Sequence, residues 1–350
     1  MEQLGISLYL SSGEKTNQEV IKKAEKAQMK YAFTSLHIPE EAIADYRAAT
    51  IKLMEQCRDA GLSLIIDVGP RTIEKLGLSS LQDLKKYNIT HIRIDYGFEI
   101  DEIVRLLKDF NIVLNASTLT EEEIKYIINN NVDTSKISAC HNFYPKPLTA
   151  LSIENVRATN DLLHKYNIKS IGFVSGDLTL RGPLHEGLPT VEEHRKMDVL
   201  RQILELKQLA KCDLIMIGDI DITEESWKKI YELQNNYITL KAKILSEYNY
   251  ICNKIHHDRI DYSVHVIRSV ESREYKNPLI LSPEKRGIGS ISMSNSLYLR
   301  YEGELEIARR ELPIESKVNI IGQVTEEYLQ YLPYINSGMG FKIDEEVEET

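Results

Sequence analysis

Across the first two thirds of the chain one unit recurs eight times: a short apolar or β-branched run, a polar loop, then a stretch with apolar residues at helical spacing. Strands are expected at 5–10, 32–37, 63–68, 91–96, 112–117, 137–142, 171–175 and 213–218, with helices such as 16–30, 44–60, 121–130, 153–166 and 192–210 between them. Runs such as LSLIIDV and CDLIMIG are apolar almost throughout, as parallel strands buried on both faces require. Eight βα units ending near residue 235 match a closed (β/α)8 TIM barrel, whereas open doubly wound sheets usually stop at about five or six strands. The fold class is α/β. No G-x-G-x-x-G follows an early strand, which argues against a dinucleotide-binding domain.

After Gln234-Asn235-Asn236 the texture changes. TLKAKIL, DYSVHVIRSV, SLYLRY, GELEIARREL and VNIIGQV alternate between apolar and polar, separated by Pro, Gly, Asn and Ser. The chain therefore divides into a catalytic barrel at 1–235, a small β-rich domain at 236–343 and an acidic tail at 344–350. The second domain's strand edges need covering, over a barrel mouth or in a homodimer.

Composition removes whole classes of function. With 43 Lys and Arg against 53 Asp and Glu the net charge is −10, and no basic stripe offsets it, so nucleic acid is not an expected partner. Cys57, Cys140, Cys212 and Cys252 show no C-x-x-C spacing and read as reduced thiols of a cytoplasmic protein. The opening MEQLGISLYL lacks a basic n-region, and no apolar run approaches the ~20 residues of a membrane span.

Barrel enzymes do chemistry at the C-terminal ends of their strands. Read in order, those ends carry Ser11 and Ser12; Ser35 and His37; Asp67; Arg93 and Asp95; Asn115 and Ser117; His141 and Asn142; Ser175 and Asp177; Asp219 and Asp221. Carboxylates gathered at one mouth suit acid/base work, because burial and repulsion separate their pKa values. The longest βα connection, SGDLTLRGPLHEGLPTVEEHR at 175–195, follows strand seven and is stiffened by proline. It supplies Asp177 and Glu186 as the first catalytic pair, with Asp95 and Asp219 as substitutes. CHNFYPKPLTALS at 140–152 offers His141, Asn142 and Tyr144 for a sugar ring, joined by His37 and Asn115 from neighbouring strand ends. Arg181 suits a phosphate or carboxylate; Arg93 suits the same task or an ion pair with Asp95, two residues along the same strand.

RIDYGF at 93–98, the 140–152 and 175–195 segments and SNSLYLRYEGELEI at 294–307 closely resemble the bacterial 6-phospho-N-acetylmuramidases, nearly from end to end. The resemblance implies a barrel followed by a cyclophilin-like β domain. It also implies cytoplasmic hydrolysis, in peptidoglycan recycling, of the β-1,4 bond joining N-acetylmuramic acid 6-phosphate to N-acetylglucosamine. The phosphorylated disaccharide is then the partner that matters, and no cofactor or metal is called for. One departure stands out: RGIGSISMSN at 286–295 lies where a basic-Gly-Asp-Ile run leading into Ile-Asp-Asn is expected. Two rival readings remain: a metal-dependent barrel lyase or isomerase using Asp219 and Asp221, and a phosphosugar-binding protein without catalysis.

Overall fold

The computed structural model describes residues 3–36, 45–95, 97–275 and 280–346. Its first eight strands are parallel and close in chain order: β1 (Leu4–Ser7), β2 (Tyr31–Ser35), β3 (Ser63–Val68), β4 (His91–Ile94), β5 (Asn111–Asn115), β6 (Ile137–Cys140), β7 (Lys169–Val174) and β8 (Leu214–Ile217), the last pairing back onto β1. Eight helices accompany them: α1 (Gly13–Lys26), α2 (Tyr46–Asp59), α3 (Thr72–Leu76), α4 (Ile100–Leu106), α5 (Glu121–Asn129), α6 (Ile153–Lys165), α7 (Val199–Gln208) and α8 (Glu224–Gln234). This is the (β/α)8 barrel the repeating unit predicts. Helix starts follow local chemistry: Asp45, Thr120, Ser152 and Asp198 each accept a first-turn backbone N–H, and Thr120 forms a capping box with Glu123.

The barrel interior is stacked by the two-residue strand period. Phe33, Ile65, Val113, Cys140, Ile171, Phe173, Leu214 and Met216 form its apolar plug. Two residues further along their strands, Phe33 gives way to Ser35, Ile65 to Asp67, Val113 to Asn115 and Cys140 to Asn142. The mouth thus turns polar one step above the plug.

Two segments depart from their sequence expectation. The helix predicted at 192–210 is a 3-10 turn, Glu192–Lys196, followed by α7, because Asp198 caps the backbone N–H of Arg201 at 3.0 Å and starts the helix afresh. SLYLRY is a 3-10 turn, Ser296–Tyr301, opened by Asn295, whose side chain accepts from Leu297 N.

The chain falls into two compact units, Glu2–Tyr231 and Glu232–Thr350. The second contains a seven-stranded mixed sheet of β9 (Tyr237–Ile244), β10 (Ile255–His257), β11 (Val266–Arg268), β12 (Ser290–Ser294), β13 (Leu305–Ala308), β14 (Val318–Val324) and β15 (Gly340–Glu345), in the order β10-β15-β9-β14-β12-β13-β11. Asp344 and Glu345, assigned from sequence to the tail, belong to β15. That strand pairs in parallel with β9, buries Phe341 and Ile343 on one face and sets Lys342 2.7 Å from Asp344 on the other. Among the described residues no helix is long and apolar enough to cross a membrane.

Candidate active site

At the C-terminal end of the barrel lies a cavity of about 360 Å³ lined by Phe33, Ser35, Asp67, Arg93, Asp95, His141, Asn142, Phe143, Tyr144 and Phe173. Register explains its first rung. Ser35 pairs with Asp67 and Asp67 with Arg93 across β2, β3 and β4, so three polar side chains meet at one level. Ser35 Oγ donates to Asp67 Oδ2 at 3.0 Å, and Arg93 Nη1 donates to Asp67 Oδ1 at 3.0 Å.

Arg93 is the hub. Its side chain is only 6% exposed, and Nη2 donates to Asp95 Oδ1 at 3.1 Å and to Asn142 Oδ1 at 2.7 Å. Burial works against its charge, but the carboxylates of Asp67 and Asp95 outweigh that penalty and hold its pKa above the ordinary arginine value. Of the two readings offered for this residue, the structure favours the ion pair: the guanidinium is engaged in positioning carboxylates.

Asp95 is placed differently from Asp67. Its side chain is 35% exposed, against 9% for Asp67. Its Oδ1 is held twice, by Arg93 and by Asn115 Nδ2 at 2.7 Å, while Oδ2 has no hydrogen-bond partner among the described residues. Asn115 is itself fixed, accepting the Ser117 N–H at 2.9 Å.

Below this carboxylate three phenyl rings pack edge to face: Phe33 and Phe173 with centroids 5.4 Å apart, Phe143 and Phe173 5.2 Å, Phe33 and Phe143 6.5 Å. His141 is buried, and burial pushes its pKa down against the opposing hydrogen bond to Asn160. Asn160 Nδ2 donates to Ala210 O at 2.8 Å and to Cys212 Sγ at 3.3 Å, so its Oδ1 is left to accept from His141 Nε2 at 2.8 Å. The neutral imidazole then carries its proton on Nε2 and keeps Nδ1 as an unpaired acceptor.

The remaining sequence candidates lie elsewhere. Asp177 does not line the cavity. Its Oδ1 accepts from Thr223 N at 2.8 Å and its Oδ2 from Thr223 Oγ1 at 3.0 Å and Ser226 Oγ at 2.6 Å, so it caps α8. Asp219 is buried and accepts three backbone N–H groups, from Gly176 at 2.8 Å, Arg181 at 2.9 Å and Leu188 at 3.0 Å. Burial raises its pKa and these bonds oppose the rise; its task is to hold the strand-seven loop. That loop closes so tightly on β8 that a Cβ at Gly218 would collide with the Leu188 carbonyl. Asp221, the other half of the metal-site rival, is engaged by Lys23 at 2.8 Å and Trp227 Nε1 at 2.9 Å. Among the described residues no three His, Cys, Asp or Glu side chains are grouped to hold a metal ion. Arg181 stacks over the Tyr9 ring at 4.3 Å and is absent from the cavity lining. His37 lies outside the described residues.

Glu186 is exposed, but its backbone is pinned beside the cavity. Arg195 Nη1 donates to the carbonyls of Tyr144 at 3.0 Å, Gly187 at 3.0 Å and Glu186 at 3.3 Å, stapling the strand-seven loop to the strand-six loop. Glu192 orients Arg195 through bonds of 2.7 and 2.8 Å and accepts from Leu148 N and Ala150 N. The Arg195 hydrogen bond outweighs partial burial and, with the two backbone donors, lowers the Glu192 pKa from 4.5 to about 2. A depressed carboxylate adds stability that is complete above its unfolded value and disappears as pH falls through the folded one. The stability gap between wild type and Glu192→Gln, measured by urea unfolding, is therefore expected above pH 4.5 and to close as pH approaches about 2. A gap that stays constant over that window would contradict the assignment.

The sequence reading did not single out this staple or the phenyl floor. Phe143 sits inside the HNFYP run, among neighbours whose polar atoms carry the stronger signal. Glu192 and Arg195 are spaced i,i+3, a spacing that ordinarily marks a surface pair.

Residues 4–232 match the family model described as 6-phospho-N-acetylmuramidase, N-terminal, and residues 237–344 the model described as 6-phospho-N-acetylmuramidase, C-terminal. No curated protein matches. Among solved structures, a conserved protein from a locus in Enterococcus faecalis, of unknown function, is 30% identical with a TM-score of 0.81, over 98% of this chain and 96% of that one. An uncharacterized B. cereus protein is 26% identical with a TM-score of 0.76, over 98% and 99% of the two chains. With both models matched and almost no residue of either domain outside them, this chain belongs to the 6-phospho-N-acetylmuramidase family, whose name is that of a glycosidase.

Proposed function

We propose that the protein hydrolyses the β-1,4 bond of 6-phospho-N-acetylmuramyl-N-acetylglucosamine, in the cytoplasm, releasing N-acetylmuramic acid 6-phosphate and N-acetylglucosamine. The observation that carries this reading is Asp95, one oxygen clamped by Arg93 and Asn115 and the other unpaired at a cavity floored by phenyl rings. A pyranose has an apolar face for such a floor and hydroxyl edges for Asn142 and Tyr144.

In this mechanism Asp95 Oδ2 faces the positive charge that develops on the sugar ring, and the Arg93 and Asn115 donors fix its position before the substrate arrives. Glu186, on the loop stapled to Tyr144, protonates the departing oxygen and afterwards takes a proton from water. Arg181, stacked on Tyr9 outside the cavity lining, leaves that ring to hold the 6-phosphate or the lactyl carboxylate when substrate binds. Asp177, coupled to α8, has no chemical part.

Glu186→Gln is expected to lower kcat by about 10²–10⁴-fold, measured by steady-state kinetics on the phosphorylated disaccharide. Unphosphorylated disaccharide is expected to show a kcat/KM lower by about two orders of magnitude, the loss of one charge-assisted contact of about 1.5–3 kcal/mol. Equal kcat/KM for the two disaccharides would defeat the substrate assignment.

A further inference from the structure

The second domain holds a cavity of its own, about 340 Å³ and within the range of about 300–1,000 Å³ typical of small-molecule sites. Tyr298, Tyr301 and Leu312 give it apolar surface, while Glu304, Glu306 and Arg286 give it charge. Glu304, immediately before β13, and Glu306 within it stand two apart, and both line the cavity. Both are shielded from bulk water, with side chains 9% and 18% exposed. The nearest cation to Glu306 is Arg286 Nη1 at 3.6 Å, too far for a hydrogen bond, and Glu306 accepts none among the described residues.

A shielded carboxylate without a donor is costly to keep. Burial raises the Glu306 pKa, and the charge of Glu304 adds to the rise. Arg286 is partly committed elsewhere, donating from Nε to Pro313 O at 3.3 Å. Glu306 therefore offers an unfilled acceptor at the cavity wall, with Arg286 beside it but beyond hydrogen-bond distance. A phosphate or carboxylate would meet two carboxylates there. A neutral hydroxylated ring would bring an O–H or N–H donor to Glu306 and lay its apolar face on the tyrosines.

We propose that this cavity is a binding site for neutral sugar, occupied by N-acetylglucosamine, the uncharged half of the disaccharide, and closed to the phosphorylated half. Naming that sugar rests on the proposed glycosidase reading; the neutral-ligand chemistry rests on the cavity alone.

The test is a titration of the full-length protein with N-acetylglucosamine, and separately with N-acetylmuramic acid 6-phosphate, followed by backbone amide NMR. N-acetylglucosamine is expected to shift the β13 and Tyr298 signals saturably, and the phosphosugar to leave them in place. Glu306→Gln preserves side-chain volume and is expected to weaken N-acetylglucosamine binding about tenfold or more, the loss of a hydrogen bond to a charged acceptor. Should that variant not fold, Tyr298→Ala is expected to weaken binding by about tenfold through loss of its ring. Unmoved β13 signals, unchanged affinity in a folded variant, or shifts produced equally by the phosphosugar would overturn the proposal. Binding and turnover are read separately, so the two readings fail separately. Missing β13 shifts beside normal hydrolysis sink the cavity assignment alone, and saturable shifts without hydrolysis sink the glycosidase reading alone.

Discussion

Asp95→Asn is expected to lower kcat by about 10²–10⁴-fold while leaving the fold intact. The substitution keeps an oxygen to accept from Arg93 and Asn115 and replaces only the unpaired Oδ2, so the network survives while the charge facing the sugar is lost. The contrast with Asp177→Asn makes the experiment decisive. Asp177 interacts with Thr223 and Ser226, 46 and 49 residues away in sequence, at the start of α8. The amide keeps one oxygen for the cap, so this substitution costs no more than about 1 kcal/mol of stability and leaves turnover near wild type. Steady-state kinetics on the phosphorylated disaccharide, with circular dichroism on each variant, checks both. If Asp177→Asn is the inactive protein and Asp95→Asn the active one, the site has been placed at the wrong strand end.

The largest loss of stability is expected from Arg93→Met. Arg93 and Asp67 are both nearly excluded from water, at 6% and 9% exposure, and each is the other's charge partner. Taking away the guanidinium breaks a buried ion pair from one side, which costs about 3–5 kcal/mol. Adding Asp67→Asn to the Arg93→Met protein is expected to restore part of the deficit, since it removes the uncompensated charge. Urea unfolding of the three variants measures it, and a deficit below about 1 kcal/mol would mean the pair is worth no more than an exposed one.

The barrel was legible because its cause is local. A strand buried on both faces must be apolar along its length, and a helix covering it must repeat every three to four residues, so each βα unit announces itself. Strand ends were legible too, which is why Asp95, Arg93, Asn115, His141, Asn142 and Tyr144 could be named before any geometry was known; all but Asn115 line the cavity, and Asn115 holds Asp95 from beside it. Their division of labour was not legible. Asp67, Asp95, Asp177 and Asp219 are one residue type in one kind of place, yet one is locked to an arginine, one keeps a free oxygen, one caps a helix and one gathers three amides. The helix expected across 192–210 failed for a related reason: Glu192 and Arg195 have good helical propensity, but their partners are loop amides and carbonyls some 40 to 50 residues earlier in the chain.

Sequence alone determined the eightfold βα repeat, the presence of a second, β-rich domain after it and the polar character of the strand ends. All three follow from how apolar and polar side chains alternate over a few positions. Only the tertiary structure decided which carboxylate stays available for chemistry. That choice depends on which donors from other strands and loops reach each oxygen first, and hydrogen bonds between distant segments leave no periodic trace in the chain.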